Sequence, residues 1–201
     1  GGAQLLMVMR LLMALAFHIY IPVWRVSLKE RFNFGPRDHS AFMGLVGISY
    51  AFSQGVAAKP LVKRSGTDPT KLVLVCILIL GGFRPFALHT SSVWIMYSLN
   101  VVMVVALGVL NTVITSSCAT LTSADQLGGF FGVLESVESA AGVVGPTIGG
   151  LLASRHVHLP LLMVCGCYSA AFVLVAFFFR DTVCHVPVAC QQTCGMSKKS
   201  Q

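Results

Sequence analysis

The chain has 201 residues, of which 55% are hydrophobic and 10% charged, and its mean hydropathy is +0.79. A soluble domain carries about 25% charged residues, so this composition excludes a water-facing globule of any size. The 14 Lys and Arg outnumber the 7 Asp and Glu for a net charge of +7, but they sit in short breaks between apolar runs rather than on the contiguous basic face that a nucleic-acid reader needs.

The chain opens on Gly1-Gly2-Ala3-Gln4, without an initiator Met or a basic stretch leading to a cleavage site. The opening is read as an internal cut of a longer chain, not as a signal peptide. A bilayer core about 30 Å thick needs roughly 20 helical residues. Six stretches qualify: 5–24, 41–58, 72–88, 93–116, 130–152 and 159–179. None alternates with the period of a barrel strand, and each is too long for one. Helices are the remaining way to satisfy backbone polar groups in lipid. The expected fold is therefore an all-α membrane protein, a bundle of six transmembrane helices over residues 1–180.

Taken in order, the first span ends on Tyr20 and Trp24, and the fourth opens on Trp94 and Tyr97, positions that suit an interfacial aromatic belt. The second and third spans are short, and the third holds Gly81, Gly82 and Pro85; tilted, broken or partly interfacial helices are the readings open for both. The connections carry the charges, among them Arg25, Lys29 and Arg31 after the first span and Lys59, Lys63 and Arg64 after the second. Lys and Arg divide almost evenly between the two sides. The small excess places the tail in the cytoplasm, and an even number of spans places the start there too. Residues 181–201 form a polar tail expected to be disordered. Its Cys184, Cys190 and Cys194 match no common zinc spacing and are read as free thiols, with palmitoylation as the open alternative. Cys76, Cys118, Cys165 and Cys167 lie in apolar runs and read as packing residues.

The fifth span is the most informative. Small residues recur at every fourth place, first Gly128, Gly132, Ser136 and Ala140, then Ala141, Gly145 and Gly149. Such a face lets another helix approach closely. Pro146 removes one backbone hydrogen bond. The pattern resembles the antiporter motif of the major facilitator superfamily, G-x8-G-x3-G-P-x2-G-G. Gly132, Gly145, Pro146, Gly149 and Gly150 match in register, and Ala141 stands in for the middle glycine. That motif belongs to the fifth helix of the N-terminal half, and the eleventh helix is its pseudo-symmetric counterpart. The entry at 125–129 resembles the eleventh helix of tetracycline-type antiporters. A weaker likeness lies at 59–71, where Arg64 and Gly66 match the loop motif of the family, while Lys59 and Lys63 replace its first Gly and its Asp. The resemblance covers nearly all of residues 5–180. It implies helices seven to twelve, one half of a major facilitator fold.

Charges inside spans are read separately from the family. A charge at mid-bilayer costs about 3 kcal/mol, so it tends to face a cavity or a partner. Arg10, Glu135 and Glu138 are the clear cases. The two glutamates are three residues apart and share a helix face. Burial and a like-charged neighbour both favour a protonated carboxyl, which suits a proton-coupled carrier. Arg10 and Glu135 each lie about 8 Å into their spans and can pair if both helices start on one side. The opposing reading has Arg10 snorkelling to the interface and the glutamates in contact with water. Asn100, Asn111, Thr112 and Thr115 add polarity to the fourth span, Ser53 and Gln54 to the second, and His18 to the first. The resemblance makes the first, second, fourth and fifth spans cavity-lining, which turns Asn111, Gln54 and Glu138 into candidate substrate contacts. Interhelical hydrogen bonding is the plainer alternative, at about 0.6 kcal/mol each.

There is no Walker A loop, no H-E-x-x-H and no Ser–His or paired-Asp arrangement within spans,. The reading is thus non-enzymatic, with no cofactor and no metal. The expected function is secondary transport of a small organic solute, proton-coupled and by alternating access, with this chain supplying the C-terminal half. Expected partners are the lipid bilayer, a small-molecule substrate, and either an N-terminal half or a second copy, with no nucleic acid. The rival is a non-transporting membrane scaffold that binds partners through the small-residue face.

Overall fold

The computed structural model describes residues 2–65, 69–121 and 126–184. Every described element is helical: α1 (Gly2–Phe32), α2 (Pro36–Phe52), a π-helical turn (Ser53–Ala57), α3 (Ala58–Ser65), α4 (Thr70–His89), α5 (Val93–Leu121), α6 (Leu127–Arg155), α7 (Leu159–Leu174) and a π-helical continuation (Val175–Cys184). Six of the helical stretches, with α2 and α3 joined through the π turn, are long and apolar enough to cross a bilayer. The chain is a multi-pass integral membrane protein, and its bundle has the size of half a major facilitator fold.

The helices are longer than the apolar runs that announce them. α1 continues past Trp24 to Phe32, and Asn33, with a positive φ of 52°, ends it in the left-handed conformation that stops helices. Pro36 then opens α2,, and the Asp38 carboxylate accepts a hydrogen bond from the Gly35 N–H at 3.0 Å. The link between the first two spans is thus three residues long. Charged residues such as Arg25, Lys29 and Glu30 lie on helix rather than loop, because interfacial side chains reach water without unwinding the backbone.

The structure narrows two expectations from the sequence. Tyr20 and Trp24 do not face outward as belt residues would: they are 7% and 4% exposed and their rings stack inside the bundle at 5.5 Å. Of the two short spans, the third is unbroken, with Pro85 within a continuous α4, while the second departs from regular α-helix at the π turn Ser53–Ala57. α4 also carries Arg84 into the interior, although its place beside Pro85 near the end of the span suggests a flanking charge. The last span ends at Phe179, and its helix continues through the start of the tail to Cys184. Residues 185–201 lie outside the described residues, as do Gly66 and Asp68 of the weaker loop motif and Asp125 before α6.

α1 is the central helix, packed chiefly on α6 and α7, while α5 packs on α2 and α4, and α4 also meets α7. The core is apolar and continuous through these helices: Leu6, Met9, Ile19, Leu80, Leu110 and Ile114 are all fully buried. Large apolar side chains cover the outside as well, with Trp94 83% and Val143 76% exposed. That inside-and-outside apolarity is what a bilayer solvent requires.

Candidate functional site

Two helix crossings bring the polar side chains together. Where α6 meets α1, a Cβ added at Gly145 would lie 2.5 Å from the His18 Cβ, and one at Gly149 would lie 2.9 Å from the Ile19 carbonyl oxygen. Ala141 is 1% exposed on the same face. This close approach sets the part of α6 that carries Glu138 against the first half of α1. Where α2 meets α5, a Cβ at Gly108 would lie 2.5 Å from the Ser53 Oγ, and the Ser53 hydroxyl donates to the Val105 carbonyl at 2.7 Å. That contact sets Tyr50 and Gln54 beside Asn111.

The five polar candidates meet in one network. The Arg10 guanidinium donates through Nη1 to the Asn111 Oδ1 at 2.6 Å and through Nη2 to the Glu138 Oε2. Glu135 lies further out, its Oε1 3.9 Å from Arg10 Nη2. Asn111 Nδ2 donates to the Tyr50 hydroxyl at 2.8 Å, and Gln54 Nε2 donates to the same hydroxyl at 3.0 Å. The Arg10, Glu138 and Glu135 side chains are 14%, 37% and 72% exposed, so the pair of Arg10 with Glu138 is the enclosed one. Tyr50 is the member that the residue types alone do not single out. A tyrosine between apolar neighbours reads as packing, and only its i to i+4 spacing from Gln54 hints otherwise.

Arg10, Tyr50, Asn111 and Glu138 line a cavity of about 310 Å³, whose remaining wall is apolar and includes Met13 and Phe17. The volume falls at the lower end of small-molecule sites, and an apolar wall with a few convergent polar groups is their usual make-up. The polar groups come from the first, second, fourth and fifth spans. Chemically the arrangement is a cation held between a carboxylate and an amide. Without the Glu138 charge, Arg10 would keep the neutral Asn111 and the more distant, exposed Glu135, and could take another acceptor.

The other marked residues fall outside the network. His18 packs over Gly142 and Gly145. Thr112 donates to its own helix at the Gly108 carbonyl, Thr115 is exposed, and Asn100 lines a second cavity. Gly132 and Gly150 have nothing within 4 Å of an added Cβ, and Pro146 is exposed. Cys76, Cys118, Cys165 and Cys167 are free thiols. No cluster of metal-ligating side chains occurs among the described residues.

Fold and polar centre together define a class: an integral membrane bundle whose helices wall a cavity around a partly buried ion pair. The sequence pattern of the Major Facilitator Superfamily matches residues 6–187, and the chain belongs to that family. It is similar to the class H tetracycline resistance protein of Pasteurella multocida, with 23% identity over 180 residues, 89% of this chain and 44% of that protein. The chain thus spans less than half the length of this relative.

Proposed function

We propose that the chain is the C-terminal half of a secondary transporter that moves a small organic solute in exchange or cotransport with protons by alternating access. The observation that carries this reading is the Arg10–Glu138 pair on the wall of the 310 Å³ cavity. An intramembrane ion pair facing a cavity is a functional arrangement by default, and transporter sites lie near the midplane between two halves. Glu138 is the proton carrier and Arg10 its counter-ion. Asn111, Tyr50 and Gln54 hold the arginine in place and offer the solute its hydrogen bonds. Glu135, more exposed, relays protons from water. Both termini lie in the cytoplasm, and the missing half, or a second copy, closes the cavity.

The test is uptake and efflux in proteoliposomes under an imposed pH gradient, with tetracycline-like and organic-ion solutes. Three preparations are compared: this chain alone, this chain with an N-terminal half, and that pair with Glu138→Gln. The chain alone should be inert. The pair should move solute only with the gradient, and Glu138→Gln should abolish the gradient dependence. Gradient-driven transport that survives Glu138→Gln would remove Glu138 from the mechanism. An inert pair would favour the scaffold reading, for which the open Gly132–Ser136–Ala140 face of α6 supplies the docking surface.

A further inference from the structure

Away from the Arg10 network, α4 buries a second cation. Arg84 is 4% exposed, and no carboxylate among the described residues pairs with it. Its guanidinium lies between two aromatic faces, 4.3 Å from the Tyr20 ring centroid and 5.1 Å from that of Tyr168. Nη2 donates to the Tyr168 hydroxyl at 2.9 Å. Trp24 stacks on Tyr20 with ring centroids 5.5 Å apart, so the four side chains form one contiguous cluster. Aromatic faces stabilise the charge, but they accept nothing from the in-plane N–H groups. Arg84 Nε and Nη1, the Tyr20 hydroxyl and the Trp24 Nε1 are all buried and have no acceptor within reach. Buried donors in proteins are nearly always matched, so four unmatched ones at one place indicate an occupant that brings acceptors.

A cavity of about 120 Å³ adjoins this cluster, lined by Arg84, Tyr20, Trp24, Asn100 and Arg25 among apolar side chains. Two arginines and no carboxylate among the described lining residues give the cavity a positive field. Its apolar wall, with Phe17, Leu80 and Leu107, suits a hydrocarbon body better than a hydrated inorganic ion. We infer that this cavity is a binding site for an organic carboxylate, its acid group held by Arg84, Arg25 and the Asn100 amide and its apolar body lying toward Phe17 and Leu107. Small rotations of the Tyr20 and Trp24 side chains turn the unmatched donors onto the acid. The site stands whether or not its ligand is then carried across the membrane. It shares a wall with the Arg10 cavity, since Phe17, Val46, Val104 and Leu107 line both.

The chain has two tryptophans, so Trp94→Phe leaves Trp24 as a reporter inside the site. In lipid nanodiscs, the Trp24 emission is titrated with benzoate and with benzamide, which share a shape and differ in charge. Benzoate should give a saturable change, with benzamide at least tenfold weaker, and Arg84→Gln should remove that preference. Equal titration by both probes, or a preference that survives Arg84→Gln, overturns the site. If Arg84→Gln does not yield folded protein, Arg25→Gln at an exposed position decides: a benzoate affinity reduced severalfold with benzamide unchanged supports the site, and unchanged benzoate binding overturns it.

Discussion

Tyr50 joins the two ends of the polar centre, because its hydroxyl is the common acceptor for Asn111 and Gln54. Only the bond from Asn111 crosses between helices. Tyr50→Phe therefore loses one interhelical and one intrahelical hydrogen bond, at about 1 kcal/mol or less each. It should lower the thermal midpoint by a few degrees at most and loosen the Asn111 amide that holds Arg10. Arg10→Gln is more severe. It leaves Glu138 without its cation and strands the Asn111 carbonyl oxygen. Breaking a fully buried pair costs about 3–5 kcal/mol, but Glu138 is 37% exposed, so water screens part of the loss and about 1–2 kcal/mol is expected. The double variant Arg10→Gln/Glu138→Gln should recover much of it, because the charge left behind, on Glu135, is 72% exposed and reaches water,. Unfolding in detergent of both single variants and the double one reads the coupling, and strict additivity would mean that the pair contributes nothing to stability. The charged members of this centre were legible because charge within an apolar run has few innocent explanations. Tyr50 was not, since a tyrosine suits packing equally well, and Arg84 was hidden by its position beside Pro85 at the end of a span.

Between elements, α6 carries two small-residue stripes with different surroundings. Ala141, Gly145 and Gly149 face α1 at backbone contact, whereas Gly128, Gly132 and Gly150 have open space beside them. A valine at Gly145 would drive its side chain into His18, and one at Gly149 into the Ile19 carbonyl. Each should cost about 1–3 kcal/mol or more, since backbone cannot step aside as a flexible side chain does. Gly132→Val should leave the stability of the isolated chain nearly unchanged and, at most, impair assembly with a partner. Thermal unfolding separates the two classes, and equal destabilisation by Gly132→Val would mean that the outward stripe is also packed. The glycine spacing was readable in the sequence, but period four alone cannot say which stripe meets a neighbour. The existence and order of the six spans were readable from apolar length. Their ends were not, because Arg, Lys and Tyr at an interface stay helical while their polar tips reach water. The burial of Tyr20 and Trp24 escaped for a related reason: an amphipathic aromatic suits an interface and an interior cation equally, and only the position of Arg84 decides.

At the scale of the whole molecule, the bundle is uneven. The apolar stretch of α6 is 11% buried, against 39% for α1 and α5, and its outward face is polar as well as small, with Glu135, Ser136, Ser139 and Thr147 exposed. Hydroxyl groups on a transmembrane helix satisfy themselves on their own backbone, as Ser136 does at the Gly132 carbonyl, but a carboxylate such as Glu135 has no such recourse and is costly against lipid. α7 by contrast exposes Leu162, Met163 and Val173, a surface for acyl chains. The chain also corresponds to 44% of its tetracycline resistance relative. These observations lead to the prediction that the α6 face lies against water and protein, and the α7 face against lipid. Spin labels at Ser139→Cys and Leu162→Cys test this, read by collision with oxygen, which partitions into lipid, and with a water-soluble nickel chelate. In the assembly with an N-terminal half, the label at 139 should favour the chelate or be shielded from both, and the label at 162 should favour oxygen. If both labels report the same lipid-like environment, the α6 face borders the bilayer, and the cavity around Arg10 would have to open directly to lipid rather than between two halves.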